Sequence, residues 1–305
     1  MKLVTFVKDA GEAPRVGALL TEGQEILDFT APACGISAPA HHLDWLDLDG
    51  EAFREAHDLF GRLRSDPAAL TTLSAQDGVL SASDVLLVAP VPRPGKVICI
   101  GLNYRDHAIE SGMDIPESPV VFSKFPTSVI GPGGPVVLPD GSQEVDYEAE
   151  LAVVIGRRVS RITIDVAYDA VLGYMNFNDV SARDFQFKDG QWQRGKSCDT
   201  FAPMGTYIAT KDEIPDPHSL RIRLRLNGET LQDSNTNQLI FGIPQLVSFL
   251  SQTITLEPGD VIATGTPPGV GFARKPPIYI QDGDRMEVEI DGLGILENPV
   301  TKLGV

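Results

Sequence analysis

The sequence predicts an α+β fold dominated by strands, with a small N-terminal α+β domain over residues 1–88 and a mixed β-roll or barrel-like domain over 89–305. Three observations predict it. Ala89-Pro90-Val91-Pro92-Arg93-Pro94-Gly95 is the one Pro-rich stretch that reads as a linker, so the boundary falls there. Short strand patterns dominate the chain beyond it, and helical patterns are few. The regular strand–helix alternation that builds a Rossmann sheet or a TIM barrel is missing.

In chain order, residues 3–7 and 15–20 read as strands of a meander, with a turn at 21–24 before a third strand at 25–28. Residues 31–40 are rich in Ala, Pro and Gly and read as loop. Phe53, Leu59, Phe60 and Leu63 recur near helical spacing with charges between them, which predicts an amphipathic helix over 51–63. After the linker come a short buried strand at 96–100, a loop at 113–119, a strand at 120–124 and a Gly/Pro-rich loop at 126–135. The apolar run Leu151-Ala152-Val153-Val154-Ile155 reads as a buried strand. A short helix over 165–171, capped by Thr163 or Asp165, leads to a strand at 174–178. Asp179 and Ser181 then serve as N-caps of a turn or helix. In the last third, Leu220, Ile222, Leu224 and Leu226 alternate with Arg221, Arg223 and Arg225, giving one buried face and one basic, solvated face. Asn227-Gly228 makes a tight hairpin turn. Ile243, Leu246, Val247 and Leu250 predict a helix, and 259–264, 285–290 and 295–300 are strands, the last two joined through Asp291-Gly292.

The chain has 305 residues, 42% apolar and 22% charged, enough to bury a sizeable core. Its net charge of −17 argues against nucleic acid and anionic membrane as partners, because both require clustered Lys and Arg. It leaves room for an anionic substrate, since a metal and a few placed cations reverse the local field. Cys34, Cys99 and Cys198 have no C-x-x-C spacing and suggest neither a disulfide framework nor a zinc site. Met1-Lys2-Leu3-Val4-Thr5 lacks the apolar core of a signal peptide and no run approaches membrane-spanning length, so a cytoplasmic protein is expected.

Chemistry concentrates in a few places. Strand periodicity puts Glu148 and Glu150 on one face, immediately before the apolar run. Two carboxylates so close raise each other's pKa unless a cation lies between them, and a divalent metal with hard oxygen ligands resolves the conflict. A Glu-x-Glu on a solvated strand face is the alternative. Asp179 offers a third ligand, or else a helix cap. An all-carboxylate set favours Mg²⁺, Mn²⁺ or Ca²⁺ over Zn²⁺. Lys196, in Gly195-Lys196-Ser197, either balances the residual negative charge and pairs with a substrate oxygen, or is an ordinary surface lysine. No Walker loop surrounds it. His107 and Glu110, three residues apart on a helix, would bring imidazole and carboxylate together as a general base is built. The Thr266 hydroxyl, in a Gly-rich loop after a strand, could bind a carboxylate.

Five ordered motifs carry a family resemblance: Gly101-x-Asn103-Tyr104-x-x-His107-x-x-Glu110, Asp146-Tyr147-Glu148-x-Glu150-Leu151, Asn178-Asp179-x-Ser181-x-Arg183-Asp184-x-Gln186, Gly195-Lys196-x-x-Asp199-x-x-x-Pro203-x-Gly205 and Gly265-Thr266-Pro267-x-Gly269-Val270-Gly271. Together they resemble the fumarylacetoacetate hydrolase family over about residues 90 to 300. Ser123-Lys124-Phe125, Ser142-Gln143-Glu144-Val145-Asp146 and Ser234-Asn235-Thr236-Asn237-Gln238 resemble its "domain-containing" branch in particular. The first 85 or so residues match only loosely. The resemblance implies that Glu148, Glu150 and Asp179 hold Mg²⁺ or Mn²⁺, with Ca²⁺ a further candidate, and that a substrate 1-carboxylate and 2-oxo oxygen chelate it. It implies that Lys196 neutralises enolate charge, that Arg183, Gln186 and Thr266 line the pocket, and that His107 and Glu110 sit on a lid. It further implies the family's mixed β-roll and a homodimer. The expected activity is metal-dependent hydrolysis of a carbon–carbon bond in a 2,4-dioxo acid such as an acylpyruvate or fumarylpyruvate. Oxaloacetate decarboxylation and oxo-acid tautomerisation or isomerisation are alternatives at the same site, and an inactive metal-stabilised structural homologue is the non-enzymatic one.

Overall fold

A computed structural model of the chain describes residues 1–20, 23–188 and 190–302, so Thr21 and Glu22 of the expected turn lie outside the described residues. In chain order its strands are β1 (Lys2–Val7), β2 (Arg15–Leu20), β3 (Glu25–Asp28), β4 (Val79–Ser81), β5 (Leu86–Val88), β6 (Val97–Gly101), β7 (Val120–Lys124), β8 (Val129–Ile130), β9 (Val136–Leu138), β10 (Val145–Asp146), β11 (Ala149–Ile155), β12 (Val171–Asn178), β13 (Ser181–Ala182), β14 (Ala202–Thr210), β15 (Arg221–Leu226), β16 (Glu229–Asn235), β17 (Val261–Ala263), β18 (Arg285–Ile290) and β19 (Ile295–Lys302). The helices are α1 (Glu51–Ser65), α2 (Pro67–Ser74), α3 (Arg105–Ser111), α4 (Arg183–Gln186), α5 (Gln193–Lys196) and α6 (Ile243–Ser251).

The fold is mostly β, as the sequence predicts. A 12-stranded sheet runs β4-β3-β2-β1-β14-β12-β11-β17-β6-β7, with β5 beside β1 and β8 beside β14. A five-stranded sheet runs β16-β15-β18-β19-β9. Both are mixed: most pairs are antiparallel, while β17–β6, β14–β8 and β19–β9 are parallel. Among the described residues neither path returns to its start, so the roll stays open and no closed barrel forms. Strands from before and after the Pro-rich stretch share the large sheet, since β1 pairs with β14 through Leu3 and Ile208.

Strand β11 is buried along its whole length, as its continuous apolar run requires. Its residues alternate between two cores. Leu151, Val153 and Ile155 join the inward residues of the small sheet, among them Ile222, Leu224 and Val288. Ala152 and Val154 face the other way, into a core that includes Trp45, Leu46 and the buried face of α1. That face carries Phe53, Leu59, Phe60 and Leu63, each large side chain contributing about 1.5–3 kcal/mol on burial. The large sheet is therefore covered on both faces. Among the described residues no helix is long and apolar enough to cross a membrane.

Some local expectations change. The helix expected at 165–171 is a 3₁₀ helix, Ile164–Ala170, with no side-chain cap bond from Thr163. Asn227 and Gly228 both have positive φ, 53° and 83°, the backbone of a type I′ hairpin. The arginine face of β15 is not a basic surface, because β16 and β18 set Asp233, Glu287 and Glu289 against it. Asp179 does not cap a helix, since its carboxylate is held by two lysines.

Candidate active site

The site lies at one end of the large sheet, where β11 begins and β12, β17 and β6 finish. The antiparallel β11–β12 register pairs Ala149 with Asn178, which brings the residues flanking that pair, Glu148 and Asp179, together. Asn178 tightens the junction by accepting the Glu148 N–H at 3.0 Å on Oδ1. Glu150, on the same strand face as Glu148, completes a buried triad whose candidate ligand oxygens lie within 4.8 Å of one another.

Three cations balance this cluster. Lys196, at the end of α5, donates to Glu148 Oε2 at 2.9 Å and to Asp179 Oδ2 at 2.8 Å. Arg183, opening α4, donates to Glu148 Oε1 at 2.6 Å and through Nε and Nη2 to Asp146 Oδ2 at 3.0 and 2.8 Å. Gln186 accepts from Arg183 Nη1 at 3.0 Å. Lys124, which the sequence reading gave no role, stands 2.7 Å from Asp179 Oδ1 and donates to the carbonyls of Val180 and Lys196. Gly195 makes the approach of α5 possible, since a Cβ there would sit 2.6 Å from Ala182 O.

The electrostatics separate the two glutamates. Burial pushes the Glu148 pKa up, but Lys196 and Arg183 outweigh it and bring it down to about 2. Lys196 is held charged, because Asp179 and Glu148 more than offset the penalty of burying an ammonium. Glu150 has no such partner. Among the described residues its side chain makes no ion pair and accepts one hydrogen bond, from the Gly265 N–H at 2.8 Å. Gly265 can aim that N–H because it adopts φ +103°, open to glycine. Burial, then the Asp179 and Glu148 carboxylates, push the Glu150 pKa well above the ordinary carboxyl range. A buried, oxygen-only cluster with one uncompensated carboxyl fits a hard divalent cation.

Across from the triad, α3 carries His107 and Glu110. His107 Nδ1 lies 3.3 Å from Glu110 Oε2, and the Gly269 N–H anchors that carboxylate at 3.1 Å. His107, Glu148, Glu150, Arg183, Gln186, Lys196 and Thr266 all line one cavity of about 140 Å³. Glu110 and Asp179 stand behind this lining and act on it through His107 and Lys196. Thr266 spends its hydroxyl on the scaffold, donating to Ala149 O at 2.9 Å and accepting from Gln232 Nε2 at 2.8 Å.

Further contributors escape the sequence reading. Asp146 ties Arg183 to the Gly-rich loop by accepting the Gly271 and Phe272 N–H groups at 2.7 and 3.1 Å. Gln232 bridges Thr266 to the start of β11 by accepting the Ala149 N–H at 2.9 Å. Phe122, Trp192, Phe187 and Phe272 supply apolar walls. Asp146 lies within a motif, which was a signal of a kind, whereas Gln232 lies in none.

The fold and this geometry have relatives. The fumarylacetoacetate (FAA) hydrolase C-terminal family model matches residues 96–301. A mitochondrial oxaloacetate tautomerase of Xenopus laevis is 43% identical over 302 residues, covering 98% of this chain and 90% of the relative. The crystal structure of a 5-carboxymethyl-2-hydroxymuconate delta-isomerase from Mycobacterium smegmatis is 34% identical with a TM-score of 0.76, covering 99% of this chain and 100% of that one. A maleylpyruvate hydrolase from Sphingobium sp. SYK-6, solved with manganese(II) and pyruvate, is 31% identical with a TM-score of 0.76, covering 99% of each chain. Tautomerase, isomerase and hydrolase thus stand among its relatives, and the chain belongs to the fumarylacetoacetate hydrolase C-terminal family.

Proposed function

We propose that this chain interconverts the keto and enol forms of a small 2-oxo dicarboxylic acid of oxaloacetate's size. The observation that carries the reading is the cavity. At about 140 Å³ it is smaller than the ~300–1,000 Å³ of drug-sized ligand pockets, and it sets His107, backed by Glu110, against the Glu148 and Glu150 carboxylates. The similarity to oxaloacetate tautomerases supports the same substrate size.

Glu148, Glu150 and Asp179 are the residues that would hold Mg²⁺ or Mn²⁺, with Ca²⁺ a further candidate. When bound, such a cation supplies Lewis-acid stabilisation of negative charge on a 2-oxo oxygen. The chain's own residues do the rest. With His107 Nδ1–H donating to Glu110, Nε2 is left to accept the proton from substrate C3. The C–H pair becomes the C2–C3 double bond, the carbonyl pair moves onto oxygen, and that oxygen takes up a proton, so no proton is consumed. Lys196, held charged, faces the cavity and offers its ammonium to the developing negative charge. Arg183, fixed by Asp146 and Glu148, keeps Glu148 ionised and orients it.

Hydrolysis of a 2,4-dioxo acid is the second reading. It is favoured by the His107–Glu110 pair, which equally suits activation of water, and by the similarity to a maleylpyruvate hydrolase. Assays with Mg²⁺ or Mn²⁺ on oxaloacetate, acylpyruvates and fumarylpyruvate, following enol absorbance and product, separate the two. Fast enol–keto exchange of oxaloacetate without bond cleavage is expected, and cleavage of a dioxo acid with no effect on that exchange would overturn the tautomerase reading. His107→Ala should lower either base-dependent reaction by about 10²–10⁴-fold while sparing part of any metal-driven decarboxylation. Equal loss of all three would contradict that division of roles.

A further inference from the structure

The catalytic cavity and a second, larger hollow share a wall made of two aromatic rings. A groove of about 680 Å³ runs along β7 and the segment 190–193. Among the described residues, Phe122 and Trp192 are the ones that line both the groove and the 140 Å³ cavity. Their rings meet edge to face, with centroids 5.3 Å apart. The indole rests directly on the end of β6, because a Cβ on Gly101 would lie 2.9 Å from its Cζ3. On the other side the Lys196 ammonium stands 5.0 Å from the Phe122 ring centroid, so the same wall reaches the charged cluster. Strand β7 ends the large sheet, and among the described residues no further strand pairs with its free edge.

We propose that Trp192, backed by Phe122, sets the upper limit on substrate length by closing the cavity against the groove. The inference rests on the functional reading above only in that a small 2-oxo acid occupies the cavity. The groove's chemistry names what would enter if the wall were removed. Val121 and Phe125 expose apolar surface along it. The two lysines that line it are already paired, Lys96 at 2.9 Å from the buried Asp260 carboxylate and Lys124 at 2.7 Å from Asp179 Oδ1. An uncharged acyl tail therefore suits the groove better than a second carboxylate, whose charge would find no free cation among the described residues that line it.

Trp192→Ala tests this in the full-length, Mn²⁺-loaded protein with two enolisable probes, oxaloacetate and hexanoylpyruvate. For each, kcat/KM and the Kd from calorimetric titration are compared with wild type. The hexanoylpyruvate-to-oxaloacetate ratio is expected to rise at least tenfold in both quantities, with a smaller rise for Trp192→Phe, which shortens the wall without removing it. A ratio within twofold of wild type in a Trp192→Ala protein that melts as wild type does would overturn the proposal. If the alanine variant melts below assay temperature, Trp192→Leu is measured instead and judged by the same ratio. Should wild type turn over neither probe, the functional reading fails, and the Kd ratio still decides the role of Trp192.

Discussion

Two dense sets of opposite charges occupy this molecule, one at the end of the large sheet and one across the outer face of the small sheet. In the first, Asp146, Glu148, Glu150 and Asp179 face Lys124, Arg183 and Lys196, and every one of these side chains is buried. In the second, Arg221, Arg223, Arg225 and Arg285 face Asp233, Glu287, Glu289 and Glu297, and all are at least partly exposed. The pairing distances are similar, so the geometry of individual pairs does not distinguish them. Environment does. Buried charges repay their desolvation only if each finds a partner, whereas exposed ones are screened by water and salt. The ladder is internally balanced, each arginine facing carboxylates across or along the strands. The buried set is four carboxylates to three cations, and the surplus falls on Glu150. A chain selected only for stability would replace such a set with apolar residues. Its imbalance is what marks it as the candidate site.

The sharpest way to break this comparison is Glu148→Ala. It removes the carboxylate that Lys196 and Arg183 share, leaving two buried cations short of a partner. Turnover is expected to fall by about 10²–10³-fold or more, the scale for losing a placed electrostatic group, and titration with Mn²⁺ should show a large loss of affinity. Full turnover on every oxo acid tried would contradict a catalytic role for the cluster. Lys124→Met comes next. It keeps an apolar stem of similar length but strips the ammonium from Asp179 and from the Val180 and Lys196 carbonyls. Removing one member of a buried pair costs about 3–5 kcal/mol, and thermal melts should show it. A loss under about 1 kcal/mol would mean that the buried set behaves like the exposed one.

The triad was legible in the sequence because its members sit in short local patterns: Glu-x-Glu ahead of an apolar run, and an Asp closing the next strand. His107 and Glu110 were legible because three residues make most of a helical turn, and α3 supplies it. Lys124 was not. Its partner Asp179 is far along the chain, and only the pairing of β7 with β6, at the edge of the sheet that also holds β12, brings them together. The same holds for Gln232, which reaches Thr266 and Ala149 from the small sheet. Fold class followed from strand periodicity, but periodicity carries no information about which strands pair. Hence the junction of β1 with β14, between opposite parts of the chain, had no signal. The arginine stripe of β15 looked basic for the same reason, its carboxylates lying on other strands.

The exposed ladder offers the mildest and most diagnostic contrast. Arg221 grips Asp233 through two bonds, Nε to Oδ1 at 2.8 Å and Nη2 to Oδ2 at 2.5 Å, with both side chains well exposed. The Arg221 hydrogen bond holds the Asp233 pKa below its ordinary value. A depressed carboxyl pKa contributes stability that is fully present above the unfolded value, about 3.9, and is lost as pH falls through the lower folded one. Asp233→Asn should therefore shift Tm by less than about 3 °C at neutral pH, by still less in high salt, and by nothing measurable in acid below both pKa values. Catalysis should be untouched, since neither residue lines the cavity. A Tm loss as large as that of Lys124→Met, insensitive to salt, would show that this ladder is as strongly coupled as the buried cluster, and burial would no longer separate the candidate site from an ordinary charged surface.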